Sequence, residues 1–72
     1  MSKGEVIVFA TKIHEGYAAA MGPMAKPFEV RMPKATSRNE RFDISVEFLK
    51  TVLNKCSTLS PSDKTSIEEA LK

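Results

Sequence analysis

The chain has 72 residues, of which 42% are hydrophobic and 28% charged, with a net charge of +2, a single cysteine and a single histidine. One cysteine excludes an internal disulfide, and with one histidine it cannot supply the nitrogen and sulfur ligands of a structural zinc. A chain this short buries only about 60% of the surface it exposes when unfolded, so one small, marginally stable domain is expected.

The charge is uneven. Met1 to Phe42 carries seven Lys or Arg against four Glu, whereas Asp43 to Lys72 carries four against five acids; the first part is mildly basic and the second nearly neutral. The apolar run Val6 to Ala10 is too short for a secretion signal, and no stretch approaches the roughly 20 apolar residues that cross a bilayer. A cytoplasmic location without a membrane partner is expected.

In chain order, residues 1–4 read as flexible. Glu5 to Lys12 reads as a first strand, because Val6, Ile7, Val8 and Phe9 are β-branched or aromatic and contiguous. A continuous run asks for burial on both faces, which so short a chain can hardly provide. Residues 13–27 then form a connection too long to be an ordinary loop. Tyr17 to Met21 suits one turn of helix, with Gly22 just past its end and Pro23 as a stop. Phe28 to Met32 alternates apolar and charged residues between Pro27 and Pro33, the pattern of a short edge strand. Residues 33–41 read as a polar linker.

The most legible stretch is the last. Ile44, Ser45 and Leu49 fit a hydrophobic staple with Ser45 as N-cap, and Phe48, Leu49, Val52, Leu53 and Cys56 recur on one helical face. Ser60, Pro61 and Asp63 mark a second helix start, and Ile67, Ala70 and Leu71 would close the core. The expected fold is therefore α+β: a two-stranded antiparallel pair with a long, partly helical connection, packed on a C-terminal helical hairpin. Phe42, Ile44, Val46 and Phe48 also alternate, so the alternative is a three-stranded βββαα arrangement.

No constellation carries chemistry. His14–Glu15 opens like a zinc-protease helix, but Ala18 stands where the second histidine belongs. Cys56 lies on an apolar helical face, and GYAAAMG lacks the spacing and the lysine of a phosphate loop. No catalytic, cofactor or metal residue is expected, and the chain is read as non-enzymatic. A helix-turn-helix reading of the hairpin fails, because its second helix presents three acids against one lysine near its start.

In general build (tiny, with a single cysteine and no catalytic cluster) the chain is similar to small phage-encoded proteins that bind a host enzyme, inhibitors of RNA polymerase among them. The likeness is of size and composition and carries no residue with it. It implies a small module that binds and modulates a larger cytosolic machine.

Docking is then expected at the exposed strand edge carrying Val6 and Val8 or at the loop carrying Tyr17, Met21 and Met24, with Arg31, Lys34, Arg38 and Arg41 steering toward an acidic patch. The alternative is a nucleic-acid binder that sets those four cations against phosphates. A homodimer burying its edge strands is the third reading.

Overall fold

The computed structural model describes all 72 residues, and each regular element in it is helical: α1 (Lys3–Met21), a 3-10 turn (Gly22–Ala25), α2 (Lys26–Arg31), a second 3-10 turn (Met32–Lys34), α3 (Arg38–Lys55) and α4 (Pro61–Ala70). The α+β expectation is thereby corrected, in its two-stranded and its βββαα forms alike. No residue is in a strand.

The first correction begins at the N-terminus. The Ser2 hydroxyl accepts the Glu5 amide at 3.2 Å, and the Glu5 carboxylate accepts the Ser2 amide at 2.9 Å. This reciprocal capping box satisfies two otherwise unpaired donors and starts a helix at Lys3. Ser2 thus caps α1, and Lys3 and Gly4 lie in its first turn. Along α1, Val6, Ala10, Ile13 and Met21 are buried. A strand would have placed Val6 and Val8 on one face; in a helix two residues apart means about 200° of rotation. Accordingly Val6 is 2% exposed and Val8 is 55% exposed.

The same phase corrects the second strand. Phe28, in α2, is 7% exposed while Val30 is 45% exposed. Pro27 sits in the first turn of α2 and Pro33 in the second 3-10 turn. Proline is tolerated in a first helical turn because its missing N–H would have no partner there. These prolines begin turns; they do not bound a strand.

α1 and α3 run in the same direction. Near their N-termini the Lys3 ammonium donates to Asn39 Oδ1 at 2.8 Å and lies 5.4 Å from the Phe42 ring centre. Further along, the His14 and Phe48 rings are 6.0 Å apart, and Tyr17 reaches Ser60 beyond the end of α3. A parallel pair needs a return path. α1 has 19 residues, so that path is about 28 Å at 1.5 Å per residue. The two 3-10 turns and α2 provide it; of the expected connection over residues 13–27, residues 13–21 are the second half of α1 and only residues 22–27 belong to this path.

α3 starts at Arg38, where the Ser37 hydroxyl accepts the Glu40 amide at 3.1 Å. Ser45 is therefore not a cap. It is fully buried within the helix, and its hydroxyl donates to the Arg41 carbonyl at 2.8 Å. Phe42, Ile44, Val46 and Phe48, the alternating residues of the possible third strand, are helix as well, and of the polar linker only Ala35–Ser37 remains between elements. The final hairpin follows the sequence reading: Ser60 caps α4 by accepting the Asp63 amide at 3.1 Å, and Pro61 is its first residue.

Val6, Ala10, Ile13 and Met21 of α1 and Ile44, Phe48, Leu49 and Val52 of α3 form one core, with Ala25 and Phe28 from the return path and Cys56, Ile67 and Ala70 from the end of the chain. The radius of gyration is 11.2 Å, the value of about 11 Å expected for a compact chain of this length. No buried side-chain nitrogen or oxygen lacks a hydrogen-bond partner. No helix is long and apolar enough to cross a membrane.

Candidate functional site

The largest concavity is a groove of about 500 Å³ between α2, with the turn before it, and α3. Local sequence builds both walls. Pro23 and Pro27 hold the return path in short helical turns, which carry Met24 and Phe28 inward. On α3, Ile44, Glu47, Phe48, Thr51 and Lys55 recur at helical spacing and form the opposite wall.

The floor is aromatic. Phe28 and Phe48 stack with ring centres 4.2 Å apart and planes inclined by 26°. His14, half-buried, lies 5.5 Å from the Phe28 ring and meets Phe48 edge-on. Its Nε2 is 2.7 Å from the Glu29 carboxylate, so α1 clasps α2 behind the floor. The rings thus gain contacts on several sides in a geometry that favours aromatic pairs.

The rim is cationic. Arg31, Lys50 and Lys55 border the groove against one acid, Glu47. Arg31 and Glu47 form an ion pair across it. The only other ion pair in the structure is His14–Glu29, so Lys50 and Lys55 have no carboxylate partner. Pro23 and Pro27 are exposed and Met24 is half-buried beside them, giving apolar contact surface next to free positive charge.

The residues singled out in the sequence disperse over this framework. Val6 and Met21 are buried in the core. Tyr17 is half-buried, and its hydroxyl is engaged by Ser60 and Asp63. Val8 lies apart from the groove, in a shallow depression with Met1, Gly4, Glu5, Phe9 and Lys12. Met24 alone of the apolar set lines the groove.

Of the basic set, Arg31 is at the groove, and Lys34 borders a smaller depression that also contains Glu40 and Asp43. Arg38 is exposed in the first turn of α3, and Arg41 is half-buried there. The four cations are thus interleaved with acids of α3 and do not form an uninterrupted positive surface.

The sequence reading missed Phe28, Phe48, Glu47, Lys50 and Lys55 as site residues. The i, i+3, i+4 spacing of positions 44, 47, 48, 51 and 55 was the available signal. All but Ile44 lie within the helix expected from Ser45 onward; the start at Arg38 adds Ile44 to the same face.

No protein-family model matches the chain, and neither the curated proteins nor the solved structures searched contain a match. The groove and its chemistry therefore carry the functional argument alone. No three His, Cys, Asp or Glu side chains come together as a metal-holding group.

Proposed function

We infer that the chain is a small non-catalytic binding module that holds one segment of a larger protein in the α2–α3 groove and so modulates that protein. The occupant is an acidic amphipathic helix, its apolar anchors resting on Met24, Pro27 and the Phe28–Phe48 floor and its carboxylates facing Lys50, Lys55 and Arg31. The observation that carries this reading is the pair of unpartnered lysines directly beside apolar surface, a complementarity that selects acids over other helices. The only histidine and the only cysteine also have other partners: His14 is packed against two phenylalanines and Glu29, and the Cys56 thiol meets the Thr58 hydroxyl.

A nucleic-acid role is the second reading and is less well supported. Arg31 is matched by Glu47, and Lys34 shares its depression with two carboxylates, each of which would repel phosphate.

The two readings separate in one assay on the full chain. A labelled synthetic helix pairing leucines with glutamates is titrated by fluorescence anisotropy beside its lysine counterpart and a single-stranded oligonucleotide. Binding of the glutamate helix alone, weakened by Lys50→Glu with Lys55→Glu, is the expected result. Equal binding of both helices, or preference for the oligonucleotide, would overturn it.

A further inference from the structure

Arg31 occupies a junction. Its side chain borders both the main groove and the smaller depression lined by Lys34, Glu40 and Asp43, with Ile44 as the other shared residue. Arg31 thus stands where the two concavities adjoin, and Glu47 meets it from the main-groove side.

That pair is open to water: the Arg31 side chain is 50% exposed and that of Glu47 61%. Pairs so exposed contribute little, because water and salt compete with both partners. Arg31 is also the only guanidinium on the groove rim, where the other cations are lysines. A guanidinium presents two parallel N–H donors to a carboxylate, whereas an ammonium acts as a point charge. Sequence spacing places it well: Arg31 is one helical turn after Phe28, and Glu47 immediately precedes Phe48.

We propose, building on the docking reading above, that Glu47 is a built-in competitor for Arg31 and that the incoming segment is admitted by exchange of ion pairs. A carboxylate flanking the apolar anchor replaces Glu47 on the guanidinium. Glu47 returns to water, where its exposed position makes rehydration inexpensive, with Lys50 one turn further along α3. The exchange makes Arg31 the residue that reads an Asp or Glu beside the anchor, and it makes Glu47 the element that holds affinity down.

The test uses the full chain and two labelled helices of equal length, one with leucines flanked by glutamates and one with glutamine at the same places. Dissociation constants are measured for wild type, Glu47→Gln, Arg31→Gln and the double variant. Glu47→Gln should tighten the glutamate helix about two- to fivefold, the factor that a pair of this exposure corresponds to, and leave the glutamine helix unchanged. Arg31→Gln should weaken the glutamate helix, and the double variant should show no further response to Glu47→Gln.

The Arg31 side-chain nitrogen resonance should shift when the glutamate helix is added to wild type, a response that mere surface stabilisation would not produce. If the glutamate helix binds through Lys50 and Lys55 but Glu47→Gln leaves its affinity unchanged or lower, the exchange is overturned and the docking reading stands. If the glutamate helix binds none of the four proteins, both fall.

Discussion

The Tyr17 hydroxyl donates to the Asp63 carboxylate at 2.5 Å and accepts the Ser60 backbone amide at 3.1 Å. In a full capping box the third helical residue reaches back to the cap residue's amide itself, as Glu5 does for Ser2. At the start of α4 a phenol from α1 takes that amide instead and passes the hydrogen bond on to Asp63. The local cap of α4 is thus completed by a tertiary contact from α1.

Tyr17→Phe removes the hydroxyl and keeps the ring. It leaves a half-buried amide and carboxylate without their shared partner, and should cost about 1–2 kcal/mol. Urea unfolding measures the total. Amide hydrogen exchange should show lost protection concentrated in the first turn of α4, with α1 and α3 changed little; uniform loss would contradict the capping role.

Phe48 joins the core to the groove floor, stacked on Phe28 and met by His14. Phe48→Ala should cost about 3–5 kcal/mol, a large share of the 5–15 kcal/mol typical of a folded domain. In a chain this small the variant should be substantially unfolded at room temperature by circular dichroism. Phe48→Leu retains much of the volume and should fold with a lowered melting temperature.

Two glycines should respond with opposite signs. Gly22 ends α1 with φ of 58°, where an added Cβ meets no neighbouring atom but the backbone itself resists a side chain. Gly22→Ala should destabilise by about 1–3 kcal/mol. Gly16 lies within α1, exposed and with open space at its Cβ position. Gly16→Ala should stabilise by roughly 0.5–1 kcal/mol by improving helix propensity. Paired denaturant titrations check both signs.

The Ser2 backbone amide, and after it the Ser2 hydroxyl, hold the Glu5 carboxyl below the usual carboxylate range. A carboxyl with a lowered folded-state pKa contributes stability above its unfolded value, and the contribution is lost as pH falls through the folded value. Glu5→Gln should therefore melt below wild type at neutral pH, and the difference should vanish in strong acid. A gap that stays constant across that range would mean that the charge of Glu5 has no part in the cap.

Only part of the groove was legible in the sequence. Arg31 and Met24 were picked out, but as members of two unrelated sets, a basic segment and a loop. Their convergence depends on α2 running back between the parallel helices α1 and α3, and no local signal specifies that path. Val6, Tyr17 and Met21 attracted attention as apparent surplus apolar residues. The structure instead gives Val6 and Met21 places in the core and engages the Tyr17 hydroxyl, since four helices cover more apolar area than a two-stranded sheet could.

What the amino-acid order determined by itself were the features whose chemistry is contained within one turn of chain. Ser60, Pro61 and Asp63 start α4, and Gly22 with Pro23 ends α1. The same kind of signal, Ser2 with Glu5 and Ser37 with Glu40, was present at the other two long helices and was outweighed in reading by the β-branched run and by the staple around Ser45. Only the tertiary structure decided that Val6 to Phe9 is helical. The intrinsic helix penalty of β-branched residues is at most about 0.7 kcal/mol each, while fully burying a side chain such as that of Val6 or Ile13 contributes about 1.5–3 kcal/mol. The parallel packing of α1 on α3 provides that burial, so contacts between residues distant in sequence override the local preference.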